Sequence, residues 1–353
     1  MRAAVFHGAR DVRVEDVARP GAPGPRQVLV RPLWCGICGT DLHEFLAGPI
    51  VIPDSPHALT GAQLPQVLGH ELSAEVAEVG AEVSGVRPGD RVSIMPLIVC
   101  GRCDSCTRGV PHLCRDMACT GLSSAWGGIA ELALVEDYQV AVLPESVSDV
   151  QGALIEPAAV AAYGIDRSGA HAGDVVLIAG AGPIGALAAL YAQAAGMDVI
   201  VSEPNPQRAR FARELDVGAV VDPREDDLWA AVDELTGGAG VDAAVECAGN
   251  AAALRACIAA ARPRGTVVQT GLHTGPAEIT PMDVSLKDLT IVGTWCYPIT
   301  DWPRMVRLLG SGRFRAERVV TAQIDVADVV EQGFAPLTDP AGAELKVLVT
   351  TAS

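Results

Sequence analysis

Between an apolar run, Val175–Ala179, and a helical pattern over Ile184–Ala195 stands Gly180-Ala-Gly182-Pro-Ile-Gly185. G-x-G-x-x-G alone is a weak signal, but between a strand and a helix it is a strong one. Gly180 permits the tight turn, Gly182 lets a pyrophosphate approach the backbone, and Gly185 lets helix and strand pack closely. The helix N-terminus, with free N–H groups and a favourable dipole, then receives the pyrophosphate.

The surrounding chain repeats the same grammar. Strand-like runs at Val175–Ala179, Val199–Ser202, Ala219–Val221, Ala243–Glu246, Thr266–Thr270 and Thr290–Val292 alternate with helical patterns at Ile184–Ala195, Gln207–Leu215, Asp227–Leu235 and Ala251–Ala261. Alternation of this kind predicts an α/β Rossmann domain, a doubly wound parallel sheet. Glu203 ends the second strand, where a carboxylate accepts hydrogen bonds from the adenosine ribose and repels a 2′-phosphate. That favours NAD, while Arg208 and Arg210 close by keep NADP as the alternative.

The first half reads differently. Val12–Val17, Val28–Leu33, Glu71–Val79, Asp90–Met95 and Ile129–Val135 are short strand candidates separated by Gly- and Pro-rich turns, which predicts an all-β, barrel-like domain. Beyond the sheet pattern, helices over Trp302–Leu309 and Val326–Ala335 and a strand at Lys346–Val349 suggest a tail that returns to the first domain. The expected division is 1–155, 156–294 and 295–353.

A net charge of −17 leaves no basic face for nucleic acid. No apolar run is long enough to span a bilayer, and MRAAVFHGARDV lacks a signal-peptide core, so the expected location is cytoplasmic. Only Lys287 and Lys346 are lysines, which argues against Schiff-base chemistry and a phosphate-loop lysine. Ten cysteines without an export signal point to metal or redox use rather than disulfides.

Their spacing separates two groups. Cys100, Cys103, Cys106 and Cys114 form C-x2-C-x2-C-x7-C, enough thiolates in one loop to enclose a tetrahedral zinc and leave no open position. An iron–sulfur cluster is the alternative for such a run. The second group is scattered: Cys35-Gly-Ile-Cys38-Gly-Thr40-Asp-Leu-His43, Gly69-His70-Glu71, and Glu156 before Pro157. A catalytic zinc needs about three protein ligands and one open position, and Cys, His and Glu supply suitable donors. Taken singly, a histidine is ordinarily structural, and a glutamate before proline ordinarily opens a helix.

Together these motifs resemble, along essentially the whole chain, the zinc-containing medium-chain dehydrogenases, in the branch of butanediol, sorbitol and threonine dehydrogenases. The resemblance implies a GroES-like β-rich catalytic domain ahead of the Rossmann domain, and two zinc ions per chain. It makes Cys38, not Cys35, the thiolate ligand, with His70, Glu71 and Glu156 completing the catalytic site directly or through water. Thr40 and His43 match the family's proton relay from the alcohol to solvent, a task suited to a side chain that titrates near neutrality. By the same analogy Ile184, Arg208, Gly271–Leu272 and Trp295–Tyr297 line the NAD, and the enzyme is a homo-oligomer, dimer or tetramer. The apolar connection CGTDLHEFLAGPIVIP, with GLHTG and GTWCYP further on, is most similar to the butanediol branch, so the implied substrate is a vicinal diol. Polyol and threonine dehydrogenases remain the alternatives. A non-catalytic zinc- and NAD-binding sensor would need neither Thr40 nor His43, and a zinc-free quinone reductase on this fold would lack the ligand set.

Overall fold

The computed structural model describes residues 1–339 and 341–351. Its contacts divide the chain into two units, one of residues 1–156, 298–312 and 320–353, the other of residues 157–297 and 313–319. The tail expected to return as one piece is therefore interrupted, since 313–319 packs with the second unit.

The first unit is built on a mostly antiparallel sheet in the order Val140–Val142, Arg91–Ile94, Glu71–Val79, Gln27–Gly36, Lys346–Thr350, Val320–Asp325, with Ala133–Glu136 also paired to Gln27–Gly36. A smaller sheet joins Asp11–Asp16, Arg2–Gly8 and Gln66–Val67. Between them lies a core that includes Phe6, Val28, Val30, Leu68, Leu72, Ile94, Ile129 and Val347, all fully buried. Burying side chains of this kind stabilises by about 1.5–3 kcal/mol each.

In this core Gly36 faces Glu71 on one neighbouring strand and Leu348 on the other. The register therefore brings Cys38, just past one strand end, beside the starts of two strands that are distant in sequence. The helix Gly39–Ala47 begins there, with Cys38 as its N-cap; the Cys38 N–H donates to Asp41 Oδ2 at 2.9 Å.

The second unit has the parallel order Ala219–Val221, Asp198–Ser202, Val175–Ala179, Val241–Glu246, Ala261–Gln269, Thr290–Gly293, which is 3-2-1-4-5-6 in chain order, as the Rossmann fold requires. Its central strands read as continuous β-branched and aliphatic runs because both faces are covered. Helices start where short polar caps allow. Asn205 accepts from the N–H groups of Gln207 and Arg208 ahead of Pro206, and Asp227 does the same for Trp229 and Ala230.

Three expectations need correction. Glu156–Pro157 does not open a helix but lies inside one, Asp149–Ser168; proline in a helix interior forfeits a hydrogen bond and ordinarily marks a boundary, which concealed this twenty-residue element. The expected helix over 326–335 is a 3₁₀ turn, a π turn and the start of a short α-helix. The strands Arg2–Gly8 and Val320–Asp325 were not foreseen: the first, RAAVFHG, does not alternate, whereas the second, VTAQID, alternates throughout but lies among helical patterns.

Candidate active site and metal centres

The four cysteines of the first group converge. Cys103 Sγ stands 3.5 Å from Cys106 Sγ and 3.9 Å from Cys114 Sγ, and Cys100 Sγ is 4.0 Å from Cys106 Sγ. A tetrahedron with Zn–S bonds of ~2.3 Å has edges of about 3.8 Å, so the sulfurs are already spaced for one zinc. They are too far apart for disulfides, and thiolates on separate irons of a cluster would stand further apart still. Backbone N–H groups at Arg115 and Cys106 hold the Cys103 thiol down to about 6, whereas burial, then neighbouring sulfurs, push Cys106 up to about 12. Two thiols of the loop are thus poised as thiolates and two are held protonated, and a divalent ion among the four sulfurs would favour the thiolate form of all of them.

In the scattered group, one donor atom each from Cys38, His70 and Glu71 lie within 4.8 Å of one another. Glu156, 8% exposed, is outside that trio, although its charge acts on both His70 and Lys346. Thr40 Oγ1 is 3.8 Å from Cys38 Sγ, and His43, three residues further along the helix, shares its face. Cys35 is fully buried, where desolvation pushes its thiol well up, consistent with a packing residue.

Two further residues belong to this site. Asp41, fully buried, places Oδ1 3.6 Å from His70 Nδ1, and neither atom has a hydrogen-bond partner. Burial opposes charge on the His70 ring, but the Asp41 carboxylate and then Cys38 overcome it, leaving its pKa well above the usual value. A metal drawn to the other ring nitrogen would fix the tautomer with Nδ1–H turned to Asp41, the carboxylate–histidine–metal arrangement. Lys346 is 1% exposed, and its Nζ donates to Glu71 Oε1 at 2.8 Å, Glu71 Oε2 at 2.5 Å and the Ile37 carbonyl at 2.9 Å. Glu71 thus rests as an ion pair, with lone pairs left over on the carboxylate that faces the Cys38 and His70 donor atoms. Space is tight: a Cβ on Gly36 would sit 2.1 Å from Glu71 Oε2. The signal for Lys346 was available, a lysine opening the apolar strand KVLVT in a chain with one other lysine. Nothing in the sequence named its partner.

In the second unit each glycine of the motif has a distinct geometric need. Gly180 takes φ +106°, and a Cβ there would strike Ala248; a Cβ on Gly185 would stand 1.8 Å from the Gly180 carbonyl oxygen. Gly182 has nothing within 4 Å of its Cβ position, leaving open backbone at the start of the helix Pro183–Ala194, whose first turn holds Ile184. Glu203, 4% exposed, accepts from Ala181 N and Asn205 N at 2.7 Å each, so the carboxylate is tied to the glycine loop itself. Arg208 is exposed on the following helix. Arg224, not anticipated, pairs with Asp222 and donates to the Pro204 carbonyl next to Glu203. Leu272 is 48% exposed on a turn that crosses Gly249, where a Cβ would meet the Leu272 carbonyl.

A four-thiolate loop, a Cys–His–Glu donor set and a doubly wound sheet with an open glycine turn define a zinc-dependent, dinucleotide-linked oxidoreductase. Residues 24–145 match the alcohol dehydrogenase GroES-like domain and 183–311 the zinc-binding dehydrogenase family. The chain is 39% identical to (R,R)-butanediol dehydrogenase of Bacillus subtilis, covering 99% of both. It is 36% identical to L-threonine 3-dehydrogenase of Pyrococcus furiosus, covering 93% of this chain and 91% of that one. The crystal structure of 2R,3R-butanediol dehydrogenase from Bacillus subtilis superposes with a TM-score of 0.91 at 37% identity over 99% of each chain. A zinc-binding dehydrogenase from Sinorhizobium meliloti, bound to NADP, gives 0.87 at 33% identity, covering 99% of this chain and 98% of that one. The chain belongs to the zinc-binding alcohol dehydrogenases of the medium-chain family.

Proposed function

We propose that the protein oxidises a vicinal diol with short apolar ends, (R,R)-2,3-butanediol foremost, to the hydroxyketone acetoin with reduction of NAD, and reversibly. The observation that carries this is the convergence of Cys38, His70 and Glu71 from separate stretches, with Thr40 beside Cys38. In balance, the secondary alcohol and NAD⁺ become the ketone, NADH and one proton. A zinc held there would supply a Lewis acid for the substrate oxygen, and a bound nicotinamide would supply the hydride acceptor. Cys38 and His70, with Glu71 and Glu156 available as carboxylates, hold the metal; Asp41 orients His70 and Lys346 restrains Glu71. Thr40 accepts the hydroxyl proton and His43 passes it to solvent. Cys100, Cys103, Cys106 and Cys114 hold the structural zinc.

The diol assignment rests on similarity to butanediol dehydrogenases and on exposed Ile50 and Val51 in the connection after His43. Each methyl or methylene of substrate buried on such a surface contributes about 0.8 kcal/mol, whereas each sorbitol hydroxyl left unpaired costs ~1–3 kcal/mol. Glu203, with Arg208, Ile184 and Leu272 along the cofactor, favours NAD by confronting a 2′-phosphate with a fixed carboxylate. Arg208 and Arg224 nearby supply the specific reason to test NADP as the second reading. The expected result is a kcat/KM for a butanediol stereoisomer with NAD above those for sorbitol, threonine and the NADP reaction. Preference for sorbitol or threonine over every butanediol isomer overturns the substrate; preference for NADP overturns the role of Glu203.

Among the described residues no helix is long and apolar enough to cross a membrane. Reduced thiol ligands suit the cytoplasm, where we place the activity. We also infer self-association. Thr290–Gly293 is the last strand of its sheet, and Met282, Leu286 and Ile291 around it are 61%, 76% and 42% exposed. An edge strand with apolar neighbours is a ready surface for a second copy. Ile291→Lys should therefore lower the mass measured by light scattering; a monomeric wild type contradicts the inference.

A further inference from the structure

Glu44 is fully buried, yet among the described residues no lysine, arginine or histidine is bonded to it. Its carboxylate instead accepts three consecutive backbone N–H groups: Ile50 N to Oε2 at 2.9 Å, and Val51 N and Ile52 N to Oε1 at 2.5 and 3.2 Å. The helix that carries Glu44 ends by a hydrogen bond from Gly48 N to the Glu44 carbonyl at 2.7 Å. The chain then turns so closely over the same side chain that a Cβ on Gly48 would lie 2.4 Å from Glu44 Oε2. Hydrogen bonds to a buried carboxylate are among the strong ones, and a buried charge is tolerated only when so satisfied.

This clamp ties residues 50–52 to the helix that starts at Cys38 and carries Thr40 and His43. Along that helix Glu44 is ~9 Å from Cys38, at 1.5 Å per residue. Ile52 points into the core at 2% exposure, while Ile50 and Val51 stand out at 59% and 48%. Two large apolar side chains are thus held exposed on a backbone that the carboxylate immobilises. Without the clamp, a segment with little of its own burial would sample many conformations.

We propose that Glu44 is a positioning residue that sets substrate selectivity: it fixes the apolar edge of Ile50 and Val51 relative to the metal ligand and proton relay on its own helix. The selectivity half rests on the diol dehydrogenase reading above; the clamp itself does not.

Hydrogen–deuterium exchange of the zinc-loaded protein tests the clamp directly. The amides of Ile50, Val51 and Ile52 should be protected in the wild type although two of the three side chains are exposed. In Glu44→Gln, which keeps the size but turns one acceptor into a donor, they should exchange about tenfold to hundredfold faster. Gly48→Ala, whose Cβ would meet both the Glu44 carboxylate and the Glu44 carbonyl that ends the helix, should give at least the same acceleration. Exchange of these amides at unstructured rates in the wild type overturns the clamp. For selectivity, kcat/KM for 2,3-butanediol relative to 2-propanol should fall severalfold in both variants, through KM for the diol, with zinc content and KM for NAD unchanged. Accelerated exchange with an unchanged ratio rejects the selectivity role. A wild type that is inactive on every diol, yet protected at 50–52, rejects the substrate reading and leaves the clamp standing.

Discussion

Replacing Lys346 with methionine is expected to cost about 3–5 kcal/mol of stability, far more than the loss of an ordinary ion pair. The reason is the state in which Glu71 is left. Both residues are 1% exposed, and Lys346 Nζ bonds both Glu71 carboxylate oxygens as well as the Ile37 carbonyl. Exposed pairs such as Arg31 and Glu75 contribute at most ~1 kcal/mol, because water replaces either partner. Here water is excluded, and methionine of similar length leaves, when no metal sits beside Cys38 and His70, a carboxylate buried without a counter-charge. Desolvation opposes the Lys346 ammonium, but the charge of Glu71, then that of Cys38 and the Glu71 hydrogen bonds, raise its pKa above the usual value. Such a group contributes its stability at all pH values below its unfolded pKa and loses it only as pH rises through the folded one. The deficit in Lys346→Met should therefore be fully visible at pH 7 in urea unfolding. Adding Glu71→Gln in that background should restore much of it. A single variant within about 1 kcal/mol of wild type would show that Glu71 does not depend on Lys346.

Cys38→Ser is expected to lower turnover by roughly a thousandfold or more while leaving the protein folded. Lewis-acid polarisation is worth several kcal/mol of transition-state stabilisation, and every ~1.4 kcal/mol is a factor of ten. Serine at neutral pH is a protonated, hard donor in place of a soft thiolate. The local fold should survive, because the bond from the Cys38 backbone N–H to Asp41 is untouched and serine is itself a good N-cap residue. The quartet around Cys103 is made of other side chains and should retain its own metal. Measured by metal analysis, the variant should hold about one zinc per chain against two in the wild type. Two zinc ions and undiminished activity would remove Cys38 from the site.

Much of this was legible because the relevant signals are local. The glycine motif lies in six residues, and the quartet spans Cys100 to Cys114, so spacing alone constrains both. Cys38, His70 and Glu71 were readable only through likeness to a known family, since their convergence depends on strand register. The residues that escaped are those whose meaning is purely tertiary. Lys346 and Glu71 are separated by 275 positions, a distance over which periodicity carries no information. Asp41 and Glu44 look like ordinary polar residues on a short amphipathic helix, where charged side chains ordinarily face water. Both are instead fully buried, one against His70 and the other beneath three amides. Pro157 misled for the opposite reason: a local rule was overridden inside a twenty-residue helix.

We take the Cys38–His70–Glu71 group to be the metal centre of an NAD-linked diol dehydrogenase. Zinc content and NADH formation from (R,R)-2,3-butanediol, followed on one wild-type sample during slow chelation, test it most directly. Two zinc ions per chain are expected at the start, with activity falling in step with the loss of one of them and thermal stability following the other. Full turnover in protein stripped of zinc would contradict it.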